Sequence, residues 1–539
     1  MENSTQTPPI IPSRAVSLRA RFAIAGLTVL ALILLFYTIE GWRGRRAWRQ
    51  YEAEMKAKGV ELNFDAFIPP PVPDEQNFAM TPFLKPLLDF VPGTQVYKLP
   101  NAPSIAVDDL GAAKELARDM GFELGGSKSA RWEKGEATDL TSVLSSDEPS
   151  APQRSRAKQS ATPVKKPASQ AEAAALVRQI QSQTIDPILE ELRAASRKPY
   201  CRFNIKYDNV PLAGVLLPHL AVIKIVTQQL VWRTAAELAL GKTNEAFEDL
   251  SLGLYLSDAL KGEPVFVSFL VRIACRQSLT QAIYDGIAAH QWSDAQLERL
   301  ITGLGKDDFI LDTRRALLGE RASFGVRSIE QVRYSEGGLQ LDDLLNWGDE
   351  NGLRVPRFKP IHYVFPAGWL YFEQLSLCRA YDRSLEPLAR WLESRGDPQE
   401  FLRQSAHAYD AWVNDRAPLT ILFKHETLAR MMVPAIGKAI GKGFRAQTVV
   451  ELTRVACALE RYHLAHGSYP EKLDALVPQC LPKLPHDPMS GKTFIYRQKG
   501  AKNYVLYSVG ANFIDNGGTV EFGKNGIVNS EEGDWVWKL

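Results

Sequence analysis

Cysteine is scarce and scattered in this sequence. The five that occur, Cys201, Cys275, Cys378, Cys457 and Cys480, never form a C-x-x-C pair. That excludes a zinc ribbon and a thioredoxin-like redox motif. They are expected to be buried free thiols, which pack as small hydrophobes; a disulfide would need an oxidising compartment. An excess of one charge is also missing. With 64 Lys and Arg against 62 Asp and Glu, the net charge is only +2. Nucleic-acid binders carry a basic domain or stripe, so no nucleic acid is expected among the partners. The motifs of common catalytic sites are lacking too. There is no G-x-x-x-x-G-K-[ST] phosphate loop, no G-x-S-x-G elbow and no H-E-x-x-H. The chain is therefore not expected to be an enzyme.

What is present first is a long apolar run. Residues 22–39 read FAIAGLTVLALILLFYTI, 18 residues without a charge, and a spanning helix needs roughly 17–25. A cleavable signal has a shorter apolar region that ends in small residues. This run instead leads into Phe36, Tyr37, Glu40, Trp42 and Arg43. A retained single-pass anchor is the expectation, with the lipid bilayer as its partner. Tyr37 and Trp42 stand where an aromatic belt would lie. Arg14, Arg19 and Arg21 precede the run, and Arg43, Arg45, Arg46 and Arg49 follow it. That count taken alone favours a cytoplasmic body, although long domains translocate largely regardless of charge.

Composition divides the chain into an N-terminal tail (1–21), a transmembrane helix (22–39), a juxtamembrane region (40–126), a disordered linker (127–170), a helical domain (171–430) and an α+β module (431–539). Beyond the anchor, Trp48, Tyr51 and Met55 are spaced to share one helix face. The prolines of FIPPPVPDEQNFAMTPFL forbid helix and predict an extended segment. Residues 127–170 are rich in Ser, Ala, Pro, Lys and Arg and poor in large apolar side chains, too poor to offset chain entropy by burial. From 171 the period is helical. Residues 232–264 read as a helical hairpin, turning at Gly241 with a Thr243/Asn244 cap and stopping at Gly262 and Pro264. Ser293 with Gln296 predicts a capping box. No period of about 34 residues recurs, so a repeat array is not expected. Seven Gly and Pro residues between 337 and 367 predict a long loop.

The last fifth is the most informative. A helix over about 445–463 carries Val449, Leu452, Ala456, Leu459 and His463 on one face. Gly467 ends it, Leu473, Leu476 and Val477 form a short helix, and 493–497 and 504–509 alternate as two strands joined through Gly500. A long helix on a small antiparallel sheet is an α+β arrangement, and the predicted fold class is mainly α with this module at the end. The motif order, helix, G-x-Y-P, L-x-A-L, L-P-x-D-P, G-K-x-F-x-Y and Y-S-x-G-A-N, resembles the C-terminal part of the major pseudopilin of type II secretion systems. The resemblance covers roughly residues 445–518. It implies a domain that folds in the periplasm, hence a body on the periplasmic side of the inner membrane. It also implies calcium, which takes 6–8 oxygen ligands. Asp515, Glu531, Glu532 and Asp534, with Asn516, are the candidates. The inserted run TVEFGKNGIVNS is expected to form a hairpin in place of the pseudopilin loop. Gly443-Phe444 is similar to a prepilin cleavage site, but the residues after it are too polar to span a bilayer, so filament assembly is not expected. The whole chain also resembles large membrane-anchored proteins of unknown function in planctomycete and verrucomicrobial bacteria, through the FIPPPVPDEQNFAMTPF and GWLYFEQLSLCRAYD segments. No activity comes with that likeness.

The expected function is an envelope scaffold or interaction protein acting through an unknown protein partner. Two other readings remain open. One is a component of a secretion or pseudopilus-like apparatus. The other is an enzyme with a site in the helical domain, near His362, Glu373 or Asp382. His463 and His466 are close enough in sequence to offer two metal ligands, but no evident set completes them.

Overall fold

The computed structural model describes residues 18–92, 94, 96–119, 122–124, 131–146, 167–207, 215–334, 367–414, 424–523 and 528–539. The order is α1 (Leu18–Ala57), α2 (Ala102–Asp119), β1 (Phe122–Leu124), α3 (Leu140–Val143), β2 (Leu144–Ser146), α4 (Gln170–Thr184), α5 (Asp186–Ala195), α6 (Pro218–Ala239), α7 (Thr243–Ala259), α8 (Phe266–Ala288), α9 (Asp294–Leu304) and α10 (Phe309–Glu320). A π-helical stretch, Arg321–Ser328, then runs into α11 (Ile329–Tyr334). Next come α12 (Ala367–Ser394), α13 (Pro398–Asn414), α14 (Thr427–His466), β3 (Ile495–Lys499), β4 (Asn503–Ser508), β5 (Val520–Phe522), β6 (Val528–Gly533) and β7 (Trp535–Lys538). The fold is mainly helical, opening on a long apolar helix and closing on small antiparallel sheets after a long helix. The predicted fold class holds.

Helix α1 has two halves of different character. Its apolar N-terminal half is exposed all round, and its best 18-residue window is 0% buried with mean hydropathy 2.5. Its second half packs. Glu40, Gly44, Trp48, Tyr51 and Met55 are buried, at the three- and four-residue spacing of one helical stripe. The stripe lies on α12. A Cβ on Gly44 would stand 2.4 Å from the Gly368 carbonyl oxygen, and one on Gly368 would stand 2.3 Å from that of Glu40. Only glycine permits so close a crossing.

Local signals fared well. Ser293 and Gln296 form the predicted capping box on α9, and α6 and α7 turn at Gly241, which has φ +73°. The cap of α7 differs: its N-cap is Lys242, with no side-chain bond, while the Asn244 amide oxygen accepts from Gln296 at 3.3 Å. In the proline-rich segment, short 3-10 turns at Asp74–Gln76, Phe78–Met80 and Lys85–Leu88 interrupt the extended backbone. Helix α14 starts well before 445. Gly443 lies inside this helix, and its missing side chain admits α10, since a Cβ there would lie 1.9 Å from Thr313 Oγ1. Strands β3 and β4 pair antiparallel with Ile495 opposite Tyr507, and β4 pairs with β7. The inserted run forms the β5–β6 hairpin. The long loop predicted for 337–367 lies, up to residue 366, outside the described residues.

The core ignores the boundaries drawn from composition. One cluster joins α7 to α10, α12 and α14 to Tyr504, Leu506, Trp535 and Trp537 of the terminal sheet. A second joins Phe64, Phe78 and Leu87, from the juxtamembrane region, to α4–α7. The linker assignment needs correcting in part. Within 127–170, residues 131–146 are packed: Trp132 is 1% exposed and its ring lies 5.5 Å from Trp537. The Trp132 N–H donates to Gln281 Oε1 at 2.7 Å, the Thr138 N–H donates to Asp285 Oδ1 at 2.9 Å, and Glu133 pairs with Arg445 at 2.7 Å. A single Trp among small residues offers more burial than an averaged composition suggests. Residues 147–166 lie outside the described residues.

Candidate functional site

A cleft of about 590 Å³ lies where α1, α12 and the entry to α14 meet. Its walls have two ends. Phe36, Trp369, Phe372 and Leu375 form an apolar end. Arg43, Arg379, Arg383 and Lys424 supply a basic end, with Glu40 and Glu426 as the carboxylates. Glu40 is taken by Arg43 at 2.5 Å. The Phe36 and Trp369 rings meet edge to face at 6.4 Å, and Arg43 lies 5.8 Å from the centre of the Phe372 ring. His425 sits between, stacked on Phe372 at 5.0 Å and 4.9 Å from Trp369. Its backbone is left-handed, φ +54°. Burial pushes its imidazole below the ordinary histidine range, and its buried Nδ1 has no hydrogen-bond partner among the described residues. His425 lines the cleft, with that nitrogen buried rather than open to it.

Beside the cleft, α1 is fastened to the body. The Tyr51 hydroxyl donates to Asp382 Oδ2 at 2.7 Å, and Arg321 of the π-helical stretch donates to Asp382 Oδ1 at 2.7 Å and to the Glu61 carbonyl at 3.0 Å. Burial pushes the Tyr51 phenol far up, so it stays a donor. Glu373 accepts from the Thr427 N–H at 3.1 Å. Neither Glu373 nor Asp382, the carboxylates singled out for a catalytic site, lines the cleft. His362 lies outside the described residues.

Among the described residues, one group of metal-ligating side chains converges: His290, Glu460 and His463, with ligand atoms within 4.8 Å. His290 Nδ1 is 2.8 Å from Glu460 Oε1, and the Tyr469 hydroxyl donates to Oε2 at 2.7 Å. The two imidazoles stack at 4.6 Å and 21°. Nearly parallel rings direct their in-plane lone pairs side by side rather than at one point, and both Glu460 oxygens are occupied. The arrangement is that of a buried carboxylate satisfied by its neighbours. His466 is not part of it, because its Nδ1 bonds the Tyr462 carbonyl at 2.9 Å.

Of the calcium candidates, Asp515 and Asp534 meet with Asn516 at the turn before β5, close enough for their charges to interact. Asp534 is 0% exposed and its carboxylate accepts the N–H groups of Asn516, Gly518 and Thr519 at 3.2, 2.7 and 3.3 Å. It pins the turn before β5. Asp515 accepts from the Tyr507 hydroxyl at 2.9 Å and the Gly517 N–H at 2.8 Å. Glu531 and Glu532 are exposed on β6, and no three of the four form a ligand group. The buried Asp534 carboxylate holds the backbone of the turn that leads into β5. The five cysteines are free, with Cys275, Cys378 and Cys457 buried.

No protein-family model, no curated protein and no solved structure matches this chain. The likeness to the pseudopilin domain is coarse at the level of the fold: a long helix followed by small antiparallel sheets.

Proposed function

We propose that this chain is a single-pass, membrane-anchored scaffold or interaction protein of the cell envelope, held in the inner membrane with its bulk in the periplasm. The observation that carries the reading is the continuity of α1. Its apolar half is exposed along its whole length, while the other half of the same 40-residue helix is a packed part of the body. A helix built in this way behaves as a stiff post: the span needs about 20 residues, and the remaining turns clamp the body close to the bilayer surface. A signal cut a few residues past the apolar run would fall within the packed half of this helix, where Glu40 and Gly44 are buried, which favours a retained anchor. The pseudopilin-like module supports the periplasmic side. Its long helix buries Val449, Leu452, Ala456 and Leu459 in the shared core, which takes that apolar stripe away from filament packing and disfavours the pseudopilus reading.

The test joins three measurements. The protein should remain in the membrane pellet after carbonate washing. Alkaline phosphatase fused after Leu539 should be active. A pull-down from crosslinked membranes should retrieve the same partner in stoichiometric yield on repetition. Recovery in the soluble fraction ends the anchor reading, a silent fusion reverses the orientation, and the absence of any reproducible partner removes the scaffold role.

A further inference from the structure

The cleft at the α1–α12 crossing has a definite depth if α1 spans the bilayer, the reading on which this section rests. Residues 22–39 of an α-helix rise about 26 Å, close to the hydrocarbon thickness of roughly 30 Å. Phe36 then lies at the edge of the hydrocarbon, and Arg43, seven residues further, lies about 10 Å beyond it, at headgroup depth. The cleft runs between these levels. Its apolar end, Phe36 and Trp369, faces the acyl boundary, where aromatic rings favour the interface. Its other end gathers Arg43, Arg379, Arg383 and Lys424.

Charge decides what fits. Four cations stand against two carboxylates, one of which, Glu40, is already bonded to Arg43. Glu426 lies 3.5 Å from Arg430. Arg379 and Lys424 are exposed and form no ion pair among the described residues. The cleft thus keeps a surplus of positive charge beside an apolar slot. A ligand with an anionic oxygen cluster and an apolar tail matches both features.

We infer that this cleft seats the headgroup of one anionic phospholipid from the surrounding leaflet, phosphate toward Arg379 and Lys424 and upper acyl chain along Phe36 and Trp369. The body would then be held to the membrane by a lipid clamp as well as by its span. A basic group near an anionic lipid surface is worth about fivefold in affinity, so loss of two costs about thirtyfold.

The full-length protein is purified from membranes in nonionic detergent, exchanged into nanodiscs of phosphatidylcholine with an equal share of phosphatidylglycerol, re-extracted, and its retained lipid quantified by mass spectrometry. About one phosphatidylglycerol per chain should remain, in clear excess over phosphatidylcholine. The double variant Arg379→Gln/Lys424→Gln should lose that excess by about thirtyfold. Ser376→Trp, which fills the cleft and keeps its charges, should lose it as well, so a folding failure in one variant leaves the other to decide. Equal retention of the two lipids overturns the inference, as does enrichment that survives in a folded variant. Displacement of the lipid by millimolar inorganic phosphate or glycerol 3-phosphate overturns it in favour of a soluble anion. A carbonate-resistant protein without lipid enrichment refutes the cleft alone; a carbonate-soluble one refutes the anchor first.

Discussion

Asp285 is buried in α8, and its two carboxylate oxygens fare differently. Oδ1 accepts from Thr138 and from Gln281 at 2.9 and 2.8 Å, whereas Oδ2 is buried with no partner among the described residues. Burial, only partly opposed by those bonds, pushes its pKa up to about 6. The native state therefore keeps a proton that the unfolded chain releases near pH 4. The contribution to stability is full below about pH 4 and is lost as pH rises to about 6, by roughly 3 kcal/mol. Asp285→Asn cannot titrate. Chemical denaturation of the detergent-solubilised protein should show the variant gaining on the wild type by about that amount between pH 4 and 7, then running parallel. A constant difference across the range would refute the assignment. Arg272 shows the complementary case. It is 1% exposed and is paired with Asp307 and Asp312, both at 2.7 Å, with Phe309 4.2 Å beneath its guanidinium. Neither residue is conspicuous in the sequence, since burial depends on helices that come from elsewhere in the chain.

At the scale of elements, the junction of α1 with α12 rests on two glycines. Gly44→Ala would place a methyl 2.4 Å from a backbone oxygen and 3.1 Å from Tyr371 Cβ. Backbone cannot yield as a flexible side-chain end does, so the helices must part. The expected cost is about 1–3 kcal/mol, against an intrinsic helix preference for Ala of about 1 kcal/mol. Gly26→Ala is the control, because nothing lies within 4 Å of its added Cβ. Thermal unfolding in detergent should fall by several degrees for the first and not for the second; equal behaviour would mean the crossing is looser than its geometry. The stripe of Trp48, Tyr51 and Met55 was legible from spacing alone, because a helix imposes its period on whatever it packs against. Its partner was not legible, since Gly44 and Gly368 are 324 positions apart and a glycine reads alike in a turn, a break and a close crossing. Gly443, similar with Phe444 to a prepilin cleavage site, is another such crossing.

Over the whole molecule, Trp132 links the middle of the chain to its end. It packs on Trp537 of β7 and bonds Gln281 of α8, and Tyr284 of α8 lies 5.3 Å from the same Trp537 ring. Trp132→Ala opens this joint and should cost about 3–5 kcal/mol. It should lower the melting temperature while leaving the protein in the membrane pellet, because α1 is remote from it. An unchanged melt would return residues 131–146 to the status of a linker.

The sequence by itself determined what is local. The uncharged run 22–39, the capping box at Ser293, the turn at Gly241, the β3–β4 hairpin at Gly500 and the mainly helical class all follow from interactions within a few residues, where periodicity and backbone preference act directly. Tertiary structure decided the rest. It merged the composition-drawn domains into shared cores, set the Asp534 carboxylate against the backbone of the turn before β5, and drew Arg43, Arg379 and Lys424 to one cleft beside Phe36. The physical reason is the same throughout: burial, charge pairing and close approach are properties of pairs distant in sequence, and a single chain read in order records each partner without recording the meeting.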